Sequence, residues 1–209
     1  MIDGMTRTRV EVSEGAELRQ DGHYRVLANH QSGVDILVLQ KIFNRRIPFL
    51  RFFLKRQLIW VPVLGLCWWA LDFPFMGRYS HRQVAKHPEL GKRDMEATRR
   101  ACEKFRAVPV AIMNFVEGTR FTPEKHASQS SPYRRLLKPK SGGVAFVIDA
   151  MGDSLHAILD VTIAYPGGRP SIMDLIAGRI PEVRVAIRER PIPDALIGGD
   201  YQQDLAFRA

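Results

Sequence analysis

The feature that most constrains the fold is an alternation of short apolar runs with segments of helical periodicity. A strand is predicted at HYRVLA, residues 23–28, and a helix packed on several sides at VDILVLQKIF, residues 34–43. Further strands are predicted at VPVAIMNF (108–115), AILDVTIAY (157–165) and VRVAIRE (183–189), an amphipathic helix at 92–106 and another helix around GGVAFVIDAM (142–151). Interleaved strands and helices predict an α/β fold, a single domain over residues 1–209 with a mixed central sheet flanked by helices.

The composition is that of an ordinary globular domain with an anionic partner. Hydrophobic residues make up 45% of the chain and charged residues 25%, enough to bury a core. The formal net charge of +9 at pH 7 favours nucleic acid, anionic lipid or a phosphorylated substrate. Cys67 and Cys102 lie in unrelated contexts, which indicates a reducing compartment and no disulfide framework. No metal-ligand cluster is evident, so no metal is expected.

One segment joins positive charge to tryptophan. No acidic residue lies between Asp35 and Asp72, and residues 41–56 of that interval include Lys41, Arg45, Arg46, Arg51, Lys55 and Arg56. These lead into LIWVPVLGLCWWAL, residues 58–71, which is shorter than the about 20 apolar residues of a membrane span and is broken by Pro62 and Gly65. We expect a hairpin there. Its tryptophans either belong to the core or, beside a one-signed basic surface, lie in the headgroup layer of an anionic membrane.

The sequence NHQSGVD, residues 29–35, places His30 at the end of a predicted strand and Asp35 in the first turn of the next helix. Strand ends carry the chemistry of α/β folds, and a helix N-terminus stabilises a carboxylate anion. An aspartate that accepts a hydrogen bond from one imidazole nitrogen leaves the other free to remove a proton. The alternative is a satisfied histidine beside a helix cap. No nucleophile elbow indicates a covalent intermediate.

A second motif is FVEGTRF, residues 115–121, which follows a predicted strand. Its turn at Gly118 is expected to expose backbone N–H groups, with Thr119 and Arg120 as further donors to a phosphate. Glu117 would orient Arg120 or a substrate hydroxyl. The alternative is a glycine turn with a surface ion pair. The sequence HASQSSP, residues 126–132, predicts an exposed loop after this motif.

Together the two motifs resemble the hallmark of the glycerolipid acyltransferases, which acylate lysophosphatidic acid and related lysophospholipids. The family's NHxxxxD motif is matched by Asn29, His30 and Asp35, and its EGTR motif by residues 117–120. DFPFMGR is similar to an intermediate motif and ends at Arg78. The segments EGTRFTPEKH, LLKPKSGGVAF and LDVTIAY are most similar to the subgroup that contains lysocardiolipin acyltransferases and their bacterial relatives. Val116 replaces the family's usual proline, a change expected to alter only loop stiffness.

The resemblance implies a glycerol-3-phosphate acyltransferase-like fold and a general-base mechanism. His30, polarised by Asp35, would deprotonate a lysophospholipid hydroxyl as it attacks the thioester of acyl-CoA or acyl carrier protein, without a cofactor. The family usually has N-terminal membrane helices. We expect this chain to lack them, to be truncated at its C-terminus and to act as a peripheral protein at the cytoplasmic face of the inner membrane. Substrate binding is implied for Asn29, Arg78, Glu117, Gly118, Thr119 and Arg120.

Three other classes of protein fit the sequence less well than an acyltransferase does. A non-catalytic module could bind anionic lipid with the basic residues, but it would not need His30 and Asp35. A nucleic-acid partner is not expected because no RNP, KH, zinc-finger or helix-turn-helix pattern is present. An α/β hydrolase would need a nucleophile elbow, which the sequence lacks.

Overall fold

The computed structural model describes residues 8–71, 73–77, 86–140 and 142–193. The strands are β1 (Arg9–Gly15), β2 (His23–Ala28), β3 (Leu50–Phe52), β4 (Leu54–Lys55), β5 (Phe75–Met76), β6 (Val110–Phe115), β7 (Ala157–Ala164) and β8 (Glu182–Arg190). The helices are α1 (Val34–Phe43), α2 (Leu64–Ala70), α3 (Pro88–Arg106), α4 (Pro123–Gln129), α5 (Gly142–Met151) and α6 (Ile172–Ile176), with short 3-10 helices at Arg56–Trp60 and Gly152–Ser154.

Six strands form a mixed central sheet in the order β1, β8, β7, β2, β6, β3, and β4 pairs with β5 in a separate ribbon. Strands β2, β3, β6 and β7 are parallel, whereas β8 is antiparallel to β7 and carries β1 parallel to itself. The carboxyl ends of β2, β6 and β7 therefore meet along one border of the sheet, which we call the site edge. The predicted mixed sheet is confirmed.

Helices cover both faces of the sheet, as expected. On β2, Tyr24 and Val26 point toward one face and join a buried cluster with Val38 and Leu39 of α1. On the other face, α3 and α5 pack against β6, where buried residues include Phe105, Ile112, Val147 and Ile148. Because successive side chains of a strand point to opposite faces of the sheet, the protein has two hydrophobic cores, one on each side of the sheet.

One helix differs from its predicted bounds, and another lies where a loop is predicted. Helix α3 begins at Pro88, four positions before the predicted start, because proline suits the first helical turn, and its predicted inner face is confirmed by buried Thr98, Cys102 and Phe105. The exposed loop predicted at residues 126–132 is wrong in its first part, where α4 extends to Gln129. Thr122 caps α4 by accepting a hydrogen bond from the Lys125 N–H, a local signal that outweighs the polar composition.

The apolar run folds as the predicted hairpin. The 3-10 helix turns back into α2 so closely that a β-carbon on Gly65 would lie 2.1 Å from the Ile59 carbonyl oxygen, a position that only glycine tolerates. We call residues 56–71 the apolar hairpin. Trp60 is 84% exposed and Trp69 is 64% exposed, whereas Trp68 is partly buried. A core position for all three tryptophans is therefore wrong. No helix in the described part of the chain is long and apolar enough to cross a membrane.

Two of the basic residues expected to form a one-signed surface are engaged by other parts of the protein. Arg46 pairs with Glu14 on β1, and the Arg51 guanidinium lies 4.9 Å from the Phe105 ring centre, so neither is a free surface cation. Lys55 and Arg56 are exposed directly at the start of the hairpin. The charge available beside the apolar surface is consequently smaller than the sequence suggested.

Candidate active site

His30 and Asp35 meet at the site edge as the spacing predicted. The His30 Nδ1 atom lies 2.9 Å from Asp35 Oδ2, and the His30 side chain keeps 14% of its surface exposed. A carboxylate can only accept a hydrogen bond, so Nδ1 carries the proton and Nε2 keeps its lone pair. The pair therefore presents a partly exposed imidazole ring whose Nε2 is able to accept a proton.

Asp35 is fully buried, and its two oxygens are occupied by donors. Oδ2 accepts hydrogen bonds from the His30 ring and from the backbone N–H groups of Gln31 (2.7 Å) and Ser32 (2.9 Å). Oδ1 accepts one from the Tyr165 hydroxyl at 2.6 Å. The start of α1 adds the favourable end of a helix dipole. The protein thus replaces the water that a buried anion would otherwise need.

Tyr165 is a site residue that sequence reasoning did not single out. It directly follows β7, the strand beside β2, and its hydroxyl points at Asp35. Burial, the negative charge of Asp35 and the hydrogen bond to it raise the pKa of Tyr165 far above its usual value. The hydroxyl therefore stays a donor. Its position at the end of a predicted strand, on the same edge as His30, is the signal that could have identified it.

The plane of the His30 ring is fixed by Phe115, the last residue of β6. The two rings stack with centres 3.7 Å apart and planes inclined by 10°. Because β6 is the neighbour of β2, this contact follows from the strand order. An imidazole packed on one face and hydrogen-bonded at one nitrogen is held ready for use by the other nitrogen.

Glu117 holds the EGTR loop against His30. Its Oε1 accepts the backbone N–H of His30 at 2.8 Å, and its Oε2 accepts the backbone N–H of Leu137 at 2.9 Å. In return, the N–H of Phe121 donates to the His30 carbonyl at 2.8 Å. Glu117 is buried and both its oxygens are occupied by the protein. This geometry favours a positioning role for Glu117, and its expected contact with substrate stays a prediction.

Asn29 has a similar structural position. Its amide donates to the Ile163 carbonyl (2.9 Å) and accepts from the Ile163 N–H (2.7 Å), so the side chain bridges the end of β2 to β7. Asn29 is also buried. These bonds set the course of the chain into His30, and the expected contact of Asn29 with substrate stays a prediction.

The remaining residues of the second motif lie at the protein surface. Gly118 adopts a φ of +65°, and its N–H donates to the Phe115 carbonyl, so this amide closes the turn and does not face outward as expected. The Thr119 hydroxyl accepts a hydrogen bond from Lys125 Nζ at 2.8 Å. Arg120 is exposed, and its guanidinium has no ion pair or hydrogen bond among the described residues.

Several cations gather around this loop. Lys125 also donates to the Arg120 carbonyl, Arg169 donates to the Phe121 carbonyl, and the Lys140 side chain lies against Gly118. We call Arg120, Lys125, Lys140 and Arg169 the cationic rim. A concentration of positive charge beside His30 suits an anionic group on a substrate.

Val116 does more than alter loop stiffness. Its N–H donates to the Ala28 carbonyl at 3.1 Å, and its carbonyl accepts from the Lys140 N–H at 2.8 Å. A proline at this position would lack the first bond. The valine thus extends the pairing of β6 with β2 by one residue toward the site.

Arg78, expected to bind substrate, lies outside the described residues. Among the residues that the structure does describe, no group of three or more His, Cys, Asp or Glu side chains gathers to hold a metal ion.

Comparisons with known proteins identify the class of molecule. The model of the acyltransferase family matches residues 9–166, more than half of the sequence, and the chain belongs to that family. Its relatives include 1-acyl-sn-glycerol-3-phosphate acyltransferase gamma of Mus musculus, 27% identical over 183 residues, which span 82% of this chain and 46% of the relative. They also include 1-acyl-sn-glycerol-3-phosphate acyltransferase 3 of Arabidopsis thaliana, 26% identical over 198 residues, which span 87% and 49%.

The fold is shared with a solved structure. The crystal structure of the 1-acyl-sn-glycerophosphate (LPA) acyltransferase PlsC from Thermotoga maritima aligns with a TM-score of 0.51 at 23% identity, covering 87% of this chain and 61% of that chain. The chain spans about half the length of the curated relatives it matches.

Proposed function

We propose that this protein transfers a fatty acyl group from an acyl thioester to the free hydroxyl of a lysophosphatidic acid-like lysophospholipid. The observation that carries this proposal is the clamp between the two motifs. The His30 ring is held by Asp35, and the His30 backbone is held by Glu117 and Phe121. A general base and a phosphate-binding loop are thereby kept in contact, as acylation of a phosphorylated alcohol requires.

In the proposed reaction His30 Nε2 accepts the proton of the lysophospholipid hydroxyl while that oxygen attacks the thioester carbonyl carbon. Collapse of the tetrahedral adduct breaks the carbon–sulfur bond, and the proton passes from the imidazolium to the departing thiolate. The products are an oxygen ester and a free thiol. The reaction forms no covalent bond to the enzyme and needs no cofactor, because the base and the thiol leaving group supply the chemistry.

The cationic rim is the proposed binding site for the phosphate of the acceptor. Arg120 is the member best suited to contact it, since its guanidinium is exposed at the end of the loop clamped to His30. Lys125 orders that loop from the side by bonding Thr119 and the Arg120 carbonyl. Arg78 is proposed as a further phosphate contact on the strength of its motif alone.

The apolar hairpin is the proposed contact with the membrane that holds the acceptor. Exposed tryptophan and aliphatic side chains on this hairpin suit insertion at the headgroup layer, and exposed Lys55 and Arg56 suit anionic lipids. We propose peripheral attachment at the cytoplasmic face of the inner membrane, where both acyl-CoA and acyl carrier protein are available as donors.

The proposal is tested with purified protein in detergent, given labelled acyl-CoA or acyl carrier protein thioester and lysophospholipids with and without a terminal phosphate. Transfer to lysophosphatidic acid is expected, with His30→Ala inactive. Arg120→Ala is expected to raise KM for the phosphorylated acceptor, and Arg120→Lys to restore only part of the affinity because it cannot bind bidentately. Vesicle binding without any acyl transfer would instead favour a non-catalytic lipid-binding module.

A further inference from the structure

We propose that Tyr165 is a positioning residue that sets both the orientation and the basicity of the His30–Asp35 pair. The inference rests on the proposed function and adds a third member to the proposed general base. Two contacts and a shared location support it. Tyr165 donates to Asp35 Oδ1, Asp35 Oδ2 accepts from His30, and all three residues lie at the site edge.

The Tyr165 hydroxyl is placed where no other described group could replace it. The two backbone N–H groups and the imidazole that bond to Asp35 all reach Oδ2, whereas the tyrosine alone is described on Oδ1. Asp35 is fully buried, so water is not at hand to occupy Oδ1 if the hydroxyl is lost. This one hydrogen bond from Tyr165 therefore fixes the rotation of the Asp35 carboxylate about its Cβ–Cγ bond.

The hydrogen bond from Tyr165 also affects how strongly the Asp35 carboxylate attracts a proton on His30. A donor on Oδ1 draws electron density from the carboxylate and weakens its attraction for a protonated imidazole on Oδ2. Removing the hydroxyl should therefore let Asp35 stabilise the imidazolium more strongly. His30 would then stay protonated, and inactive as a base, to a higher pH.

The other charged groups near the pair do not share this connection. Glu117 faces the backbone N–H of His30 from the loop that follows β6, and the cationic rim lies on α4 and on surface segments between β6 and α5 and after β7. None of them contacts the Asp35 carboxylate. Their fields act on His30 equally whether or not the Tyr165 hydroxyl is present, so a tyrosine variant isolates one interaction.

The decisive variant is Tyr165→Phe, which removes one oxygen and keeps the buried ring. The matched control is Tyr24→Phe, because Tyr24 is also buried but its hydroxyl bonds the backbone of Glu17 and Arg19 at the opposite end of β2. For Tyr165→Phe we expect kcat at the pH plateau to fall about 3- to 10-fold and the acid limb of the pH–rate profile to move up by about 0.5 to 1 unit. For Tyr24→Phe the acid limb should not move.

A second readout does not depend on activity. Histidine labelled at the ring carbons is followed by NMR across the pH range, with the His30 signal assigned by its loss in His30→Ala. The His30 ring should titrate at higher pH in Tyr165→Phe than in the unmodified protein. A rate loss with an unmoved acid limb and unmoved titration would reduce Tyr165 to a packing role and overturn the inference. Absence of acyl transfer by the unmodified protein would overturn the proposed function while the titration still tests the tyrosine.

Discussion

The site edge and the apolar hairpin show opposite ways of using polar and apolar groups. At the site edge, the buried carboxylates of Asp35 and Glu117 each have all their oxygens occupied by donors from the protein. On the apolar hairpin, Trp60 and Trp69 project into solvent with most of their surface uncovered. The first region satisfies its own buried charges, whereas the second has apolar surface that the rest of the described chain leaves uncovered.

This contrast separates chemistry from attachment. A buried network that satisfies its own charges is preorganised, so changes there should affect rate even when substrate is supplied in detergent. Exposed aromatic groups contribute nothing to such a network. Changes there should affect binding to a bilayer and leave the detergent reaction intact.

The largest effect is expected at the base. His30→Ala should lower kcat about 100- to 10,000-fold, because the proton of the acceptor hydroxyl loses its acceptor, and Asp35→Asn should leave only weak activity. Steady-state transfer assays measure the loss, and circular dichroism checks the fold. Near-full activity of a folded His30→Ala protein would remove the histidine from the mechanism and erase the proposed difference between the two regions.

The next effect distinguishes positioning from substrate contact. Glu117→Gln replaces one acceptor oxygen by an amide that faces a backbone N–H, so one of the bonds to His30 and Leu137 is lost. We expect the free energy of unfolding to fall by about 1 to 3 kcal/mol and kcat to fall, with little change in KM for the acceptor. Urea denaturation and kinetics measure both quantities.

The control for that variant is Glu103→Gln, which removes an exposed carboxylate paired with Arg99 on α3 and should change neither quantity measurably. A Glu117→Gln protein of normal stability with a raised KM would show that Glu117 contacts the acceptor after all.

The third effect belongs to the hairpin. Trp60→Ala combined with Trp69→Ala should weaken binding to phosphatidylglycerol or cardiolipin vesicles at least about 10-fold, including the part that resists salt, because each indole buries a large apolar surface in the lipid. Transfer in detergent should be unchanged. Met173→Ala with Ile176→Ala is the control, since these apolar side chains on α6 are also largely exposed, at 66% and 64%. Equal losses for both pairs in vesicle co-sedimentation would deny the hairpin a special role.

The comparison also shows which parts of the molecule could be predicted. The long strands and α3 follow from periodicity, and the His30–Asp35 contact follows from spacing along one strand end and one helix start. By contrast, β1 is a mostly exposed edge strand with only two apolar residues, Val10 and Val12, and β3 has only three residues, so the local signal is short in both. The alternation of strands and helices along the sequence predicted the sheet. Which strands lie at its edges depends on contacts between distant parts of the chain.

Contacts between distant residues account for most of what was missed at the site. Tyr165 lies 130 positions from Asp35, so their bond depends on strand order. Similarly, the positioning role of Glu117 depends on a backbone N–H at Leu137, which no side-chain pattern reveals.

A buried charge away from the site was also not predicted. Arg25, at the centre of a predicted strand, is fully buried and donates to the carbonyls of Ile112 and Gly143. Burial lowers its pKa to about 10.

The smallest effect is expected for the basic residues beside the apolar hairpin. Lys55→Gln with Arg56→Gln should reduce the preference for anionic over neutral vesicles a fewfold, because these exposed cations lie directly at the hairpin and each contributes up to about 1 kcal/mol near an anionic surface. Arg46→Gln with Arg51→Gln should change that preference little, since Arg46 is neutralised by Glu14 and Arg51 packs against Phe105.

Both pairs remove the same formal charge, so net charge alone predicts equal effects and the structure predicts unequal ones. Co-sedimentation at low and moderate salt measures the difference, which should shrink as salt screens the exposed cations. Equal loss from the two pairs would show that the whole basic segment acts together. In that case the contact with the membrane would extend well beyond the apolar hairpin.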